Sequence, residues 1–318
     1  MRTAVIGVGY LGRFHAQKYA SLAGSTLVGV ADPCAEARER VAAELGVPAH
    51  ADHRELLGHV DAVSIVTPTQ AHFSVARDFL ESGAHVLVEK PMTATLAEGE
   101  ALVEIAQRRG RLLQVGHLER FNAVVQAVQP ILTMPRFIES ARLAPFKQRG
   151  TEVDVVLDLM IHDIDLILSI VRSEVISVDA IGTSVFSPEI DIANARLRFA
   201  NGCVANATAS RVSLKTERRL RLFQDDAYLS IDLHQKVLTV IRKAEGLGAD
   251  GNPQVDIAES NFEQGDALGI EIGAFLAAIE RGGPAPVSGE DGLLALRTAL
   301  SITEQVASSR AAFSSASQ

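Results

Sequence analysis

The 318-residue chain has only two cysteines, Cys34 and Cys203, no tryptophan and three tyrosines. Two isolated cysteines exclude a disulfide framework and a C-x-x-C metal or redox motif, and they fit a reducing cytosol. No apolar run reaches the roughly 18 uninterrupted residues that a membrane helix needs, so no membrane association is expected. The short run after Met1-Arg2 is broken by glycines, and no small-residue cleavage site follows it, which argues against a secretory signal. No basic tract is long enough to track a phosphate backbone, and the formal net charge is −9. Nucleic acid is therefore not expected as a partner. Histidine and cysteine nowhere cluster at a clear metal-ligand spacing, and no metal is expected. What remains is a cytoplasmic protein acting on small molecules.

Hydrophobic residues make up 47% of the chain and charged residues 22%, a soluble globular balance, and the length exceeds one ordinary core. Two domains are expected. The most informative stretch is the first, Thr3-Ala4-Val5-Ile6-Gly7-Val8-Gly9-Tyr10-Leu11-Gly12. An apolar strand runs into G-x-G-x-x-G, and a helix follows. Gly7 permits a tight turn, Gly9 lets backbone approach a pyrophosphate, and Gly12 lets helix and strand pack closely. The helix reads as Phe14–Ala23, its N–H groups and dipole favour phosphate at its start, and Tyr10 and Leu11 beside the glycines are candidate cofactor contacts. The next strand, Thr26–Ala31, ends in Asp32, about 20 residues past Gly12, where a dinucleotide fold places a carboxylate on the adenosine ribose. Asp32 favours NAD by repelling a 2′-phosphate, while the nearby Arg38 and Arg40 keep NADP open.

Up to residue 117, apolar strands alternate with helical segments that stop at Gly46, Gly83 and Gly110, the last of them started by the capping box Thr95-x-x-Glu98, which predicts a doubly wound parallel sheet covered on both faces. Its strand-end loops form a ligand crevice. Most of 135–260 reads as strands (Phe137–Leu143, Ile176–Val185, Ala193–Phe199, Val204–Val212, Leu220–Phe223, Tyr228–Asp232 and Val237–Ile241), with one helix at Asp154–Val171, two more near Ile270–Glu280 and Gly292–Val306, and a small polar tail, Ser308–Gln318, that is expected to fray. The expected second domain is thus α/β with a large open, mostly antiparallel sheet. The division is 1–118 for a dinucleotide-binding domain and 119–318 for substrate binding and oligomerisation. One face of that sheet has no helix to cover it, so a second subunit is the expected cover, giving a homodimer or homotetramer.

Three groups of residues have the means for chemistry. Strand His85–Val88 ends in Glu89-Lys90-Pro91, which puts Lys90 at the carboxyl edge of the sheet, beside the expected nicotinamide. Pro91 is a candidate for a cis bond. A solvated surface lysine is the alternative. Asp158 and His162 lie four apart in a helical, apolar stretch, on one face. A histidine beside a carboxylate can take a proton from an alcohol near neutral pH. Read alone, D-x-x-x-H more often describes a core histidine held by its neighbour. The third group is His117 and Arg120, just after the last parallel strand, where arginine either grips an anionic substrate or joins the two domains. Thr67-Pro68 and His72 occupy another strand-end loop that can line the cofactor, although His72 also suits a plain helix start.

These elements, Gly7-x-Gly9-x-x-Gly12, Thr67-Pro68-x-x-x-His72, Glu89-Lys90-Pro91, Gly116-His117 and Asp158-x-x-x-His162, occur in the order of the glucose–fructose oxidoreductase/inositol dehydrogenase/rhizopine-catabolism (Gfo/Idh/MocA) family, which the chain resembles over essentially its full length. The resemblance implies a Rossmann domain, an oligomerising open-sheet domain, and NAD(P)-dependent oxidation or reduction of a sugar or cyclitol carbon. It further implies that Lys90 orients the reacting hydroxyl and nicotinamide, that His162 is the acid/base and Asp158 its partner. The glycine-rich lead-in usual before the D-x-x-x-H helix is replaced here by Val153-Asp154-Val155-Val156-Leu157, a departure that bears on substrate shape. Two stretches, His117–Asn122 and Ala144-Pro145-Phe146-Lys147-Gln148-Arg149, resemble the branch that oxidises C3 of UDP-N-acetylglucosamine to a ketone, which a partner aminotransferase then aminates for lipid A-type precursors. On that resemblance Lys147 and Arg149, and also Arg211, Lys215, Arg218 and Arg219, are candidate contacts for the nucleotide-sugar diphosphate. The alternatives are a dehydrogenase of a cyclitol or free sugar, and a non-catalytic NAD-binding regulator.

Overall fold

A computed structural model describes residues 1–147, 153–247 and 251–316. The first apolar segments form β1 (Arg2–Ile6), β2 (Thr26–Ala31), β3 (Ala49–His50), β4 (Ala62–Ile65), β5 (His85–Glu89) and β6 (Leu113–Gly116). Helices α1 (Tyr10–Ser21), α2 (Ala35–Leu45), α3 (Thr69–Ser82) and α4 (Leu96–Arg109) alternate with them. Among the described residues these strands make one sheet in the order β3-β2-β1-β4-β5-β6, with every pair parallel. β4 is buried at each position and β1 at all but its first, as strands between two helix layers must be. Local signals hold where they are strongest. Thr95 caps α4 in a reciprocal box with Glu98, and Gly46, Gly83 and Gly110 end α2, α3 and α4 in the left-handed conformation. Because β2 and β4 flank β1 on opposite sides, the strand order reverses there and opens a crevice at the carboxyl ends.

The chain continues through α5 (Ala123–Val128), β7 (Phe137–Leu143), a π turn at Val156–Met160, and α6 (Ile161–Val171). It then forms β8 (Val175–Thr183), β9 (Ile192–Phe199), β10 (Val204–Ser210), β11 (Glu217–Phe223), β12 (Tyr228–Asp232), β13 (Val237–Leu247) and β14 (Pro253–Asn261). The second sheet, in the described residues, has the order β14-β13-β12-β11-β7-β10-β9-β8, antiparallel except where β10 lies parallel to β7. Its inner face carries Ile138, Ala195, Ala207, Leu220 and Leu229, all buried, and α6 lies against β7 and β10. Alanines on β9 and β10 leave space for that apolar helix, which is buried at eight of its eleven residues. The opposite face is mixed: Phe137, Glu139, Asn206, Arg219, Arg221 and Tyr228 are half-buried. Strand β14 escaped the sequence reading, and the reason is physical. Every residue in it is exposed, so it lacks the alternation that burial imposes.

Two helices close the chain, α7 (Ala267–Arg281) and α8 (Gly289–Ala316). The tail after Ser308, expected to fray, continues α8 to Ala316. The chain forms two compact units: residues 1–121 with 266–296, and residues 122–265 with those from 297 onward. This differs from the contiguous division at residue 118. The cause is the apolar face of α7, whose Ile272, Phe275 and Leu276 share one core with Val5, Val8, Tyr19, Val30 and Leu87. Val287 extends the same association by accepting a hydrogen bond from the Val115 N–H.

Candidate cofactor and active site

In the first unit, the glycine turn has the geometry that its residues require. Gly7 has φ of +82°, and a side chain there would meet Val66 O at 2.6 Å. A Cβ on Gly12 would lie 1.8 Å from Gly7 O, so only glycine lets α1 approach β1 this closely. A Cβ on Gly9 meets nothing within 4 Å, which leaves open space next to the start of α1. Gly9 itself is the N-cap and supplies no side-chain cap. Tyr10 and Leu11 are 70% and 37% exposed. Asp32, at the end of β2, accepts the Val8 N–H on Oδ2 and the Cys34 N–H on Oδ1, each at 2.8 Å. The carboxylate is thereby fixed beside the glycine turn, and each oxygen keeps a second lone pair for a ribose hydroxyl. Arg38 donates to the carbonyls of Asp32 and Pro33. The open space at Gly9, the held carboxylate and a buried Thr67 hydroxyl with no partner among the described residues all fit a dinucleotide.

Glu89 closes β5, Lys90 follows it, and the Lys90–Pro91 bond is cis. The Glu89 carboxylate is 13% exposed and lies 3.2 Å from Nε2 of His15, which is fully buried. His15 Nδ1 is 3.2 Å from Ser64 Oγ, and Ser64 Oγ is 3.0 Å from the Tyr19 hydroxyl. Burial pushes the Glu89 carboxyl up, but the His15 hydrogen bond and the charges of His15 and Lys90 outweigh it and hold the group below its ordinary value. Burial raises the Tyr19 hydroxyl, against the Ser64 hydrogen bond, so the phenol stays neutral.

In the second unit, Asp158 lies in the π turn and His162 at the start of α6, four residues apart and both half-buried. Two buried ion pairs secure this segment. Arg142 on β7 grips Asp163, next to His162, through Nε at 3.1 Å and Nη2 at 2.8 Å. Arg211 donates to Asp191 at 2.8 Å and to the Val153 carbonyl at 2.6 Å, while the Val155 N–H donates to Ile190 O. Asp154 caps the N–H groups of Val156 and Leu157. Asp191 is buried, which raises its carboxyl, yet the hydrogen bonds from Ser187 and Arg211 prevail and keep it well below the carboxylate range.

Comparison with known proteins fits this architecture. Residues 1–117 match the model of the GFO/IDH/MocA oxidoreductase family with its NAD-binding Rossmann fold, and residues 135–230 match the GFO/IDH/MocA C-terminal domain. The chain belongs to this family. It is 43% identical over 95% of its length to UDP-N-acetylglucosamine 3-dehydrogenase of Acidithiobacillus ferrooxidans, covering 96% of that protein. The solved structure of that enzyme aligns with a TM-score of 0.91 over 96% of this chain and 97% of the other. Scyllo-inositol 2-dehydrogenase (NAD(+)) of Bacillus subtilis is 31% identical over 67% of this chain and 68% of its own. Scyllo-inositol dehydrogenase of Lactobacillus casei, at 21% identity with TM-score 0.81 over 97% of each chain, shares the fold.

For this GFO/IDH/MocA protein, the structure gathers Gly7, Gly9, Gly12, Asp32, Thr67, Pro68, Glu89 and Lys90 on one unit and Asp158 and His162 on the other. Several expected contacts are engaged elsewhere. His72 is 1% exposed, with Nδ1 2.9 Å from Pro91 O and Nε2 2.8 Å from Thr67 O, so both ring nitrogens face backbone carbonyls. His117 is 1% exposed, and Arg120 lies 3.5 Å from Asp291. Arg211 is consumed by its buried pair with Asp191, which removes it from the candidate diphosphate contacts. Lys147 is exposed, and Arg149 lies outside the described residues. Sequence reasoning missed His15, Ser64 and Tyr19. The available signal was His15 three residues past Gly12, on the face of α1 that Gly12 and Ala16 also bury.

Proposed function

We propose that this chain is an NAD-dependent dehydrogenase that oxidises the C3 hydroxyl of UDP-N-acetylglucosamine to a ketone. The observation that carries it is the 43% identity, over nearly the full length of both chains, with the Acidithiobacillus ferrooxidans enzyme of that activity. NAD is favoured over NADP because the Asp32 carboxylate, fixed by two backbone N–H groups, repels a 2′-phosphate. His162 accepts the hydroxyl proton, and Asp158 orients the imidazole and balances its charge. The Lys90 ammonium stabilises alkoxide character on the substrate oxygen as the carbonyl forms. Bound NAD supplies the hydride acceptor. Lys147 and Arg149 are proposed contacts for the substrate diphosphate. The 3-keto product suits a cytoplasmic aminotransferase that installs an amine for a lipid A-type precursor.

A homodimer or homotetramer formed through the open face of the second sheet belongs to the same proposal. That face carries neighbouring rings, Phe137 tilted against Phe223 at 5.6 Å and Phe223 stacked on Tyr228 at 4.9 Å. Ile181 and Ile257 add exposed apolar surface at its two ends. A second substrate, a cyclitol, is favoured by the 31% identity with the inositol enzyme of Bacillus subtilis.

Reduction of NAD, followed by its absorbance, separates these readings with UDP-N-acetylglucosamine, free N-acetylglucosamine and myo-inositol as substrates. Turnover with the nucleotide sugar is expected. Turnover with inositol alone moves the assignment to cyclitols, and none with any UDP-hexosamine overturns it. Lys90→Ala and His162→Asn are each expected to lose about 100- to 1,000-fold in kcat. Wild-type turnover in Lys90→Ala removes that lysine from the chemistry.

A further inference from the structure

The turn that carries Lys90 is held from two sides by buried histidines, His15 and His72. On one side, the Lys90 N–H donates to Glu89 Oε2 at 3.3 Å. Glu89 Oε1 meets His15, and His15 is anchored through Ser64 to Tyr19 in the core. A carboxylate this enclosed is costly to bury without a partner. Gly116 makes room for it, since a Cβ there would lie 2.8 Å from Glu89 Oε1. On the other side, His72 stands between the carbonyls of Pro91, directly after Lys90, and Thr67, in the loop after β4. A neutral ring donates to one of these carbonyls and an imidazolium to both. In either state the ring fills the space between the two loops and sets their separation.

We propose that His15 and His72 are positioning residues for Lys90: His15 holds the carboxylate that binds the Lys90 N–H, and His72 ties the Lys90–Pro91 turn to the Thr67 loop. This rests on the reading of Lys90 as the group that meets the substrate hydroxyl. It adds that the lysine's placement depends on two side chains that touch neither substrate nor nicotinamide. A displacement near 1 Å of a reacting group is enough to lower turnover by about 100-fold.

The test compares His72→Phe, which keeps the ring shape without donors, with His72→Gln, which restores a donor, and His15→Leu with His15→Gln. Each is measured for kcat and KM with the nucleotide sugar, NADH binding by fluorescence, and hydrogen–deuterium exchange of the peptide spanning 86–95. His72→Phe is expected to lose about 10- to 100-fold in kcat. KM and NADH affinity should stay within about threefold, exchange in that peptide should rise, and His72→Gln should recover part of the loss. If His15→Leu fails to fold, His15→Gln and the His72 pair decide the matter. Lys90→Ala runs in parallel. Wild-type turnover there defeats the lysine reading itself, whereas an inactive Lys90→Ala beside His72→Phe and His15→Gln with unchanged kcat and unchanged exchange overturns the positioning role alone. A His72→Phe loss accompanied by an equal loss of NADH binding also overturns it.

Discussion

The two sheets bury charge and polarity in different ways. In the parallel sheet, both faces are covered, and polar groups gather as a chain of contacts from Glu89 through His15 and Ser64 to Tyr19, ending at the carboxyl edge where Lys90 sits. In the larger sheet only one face is covered by its own unit. Its buried charges include two arginine–carboxylate pairs, Arg142–Asp163 and Arg211–Asp191, flanking the segment with Asp158 and His162. The first arrangement suits small adjustments at a strand end, because hydroxyls and imidazoles can exchange donor and acceptor roles. The second suits a helix that must not shift, since a bidentate pair is specific in geometry and strongly destabilising when halved.

That contrast can be broken most severely at Gly12. Gly12→Ala places a methyl against a backbone oxygen that cannot yield, and a loss of about 3 kcal/mol or more is expected, with NADH binding abolished in a fluorescence titration. In the other unit, Asp191→Ala should cost about 3–5 kcal/mol in chemical denaturation by stranding the Arg211 guanidinium. Adding Arg211→Met should return part of that loss, because both charges are then gone. Equal stability of the single and double variants would sink the ion-pair account.

Acid sharpens the comparison further. Burial lowers the histidine pKa of His72 and His85 from 6.5, against backbone hydrogen bonds and the Glu89 charge at His72 and with the Arg111 charge at His85. The unfolded chain therefore binds protons there that the folded chain refuses, so this stability is complete above 6.5 and is lost as pH falls through the window beneath it. Asp191 is depressed from an ordinary value of 3.8, and its contribution is lost only as pH falls below that. Exchange followed along a pH titration should thus loosen the parallel-sheet unit first, and the reverse order would contradict the assignment. The smallest effect concerns the cysteines. Cys34 is exposed, whereas Cys203 is buried and its thiol is pushed up to about 11 by burial. Brief alkylation followed by mass spectrometry should label Cys34 alone, with little change in stability.

Much of the first unit was legible from residue order. Strand Thr26–Ala31 was read to the residue, as was Phe137–Leu143 in the second unit, and the Thr95 capping box and the helix-ending glycines formed as expected. The signals are local: a cap, a left-handed glycine or an apolar run acts within a few residues of itself. Strand β14 was not legible because its exposed residues carry no burial pattern, and the π turn around Asp158 was hidden within a helix-like periodicity. Basic residues were the least legible. Arg211, Lys147 and Lys215 look alike in sequence, yet Arg211 is spent inside the protein while the two lysines are exposed.

By itself the sequence determined the alternation of strands and helices, the glycine turn with its carboxylate, and the family order of Lys90, Asp158 and His162. Those depend on short-range sterics and on residue chemistry, both written in neighbouring positions. Only the tertiary structure decided that α7 joins the N-terminal core, that His72 faces two carbonyls, and that His15 stands beneath Glu89. Each of these rests on partners far apart in the chain, brought together because apolar surface must be covered and a buried polar group must find its complement.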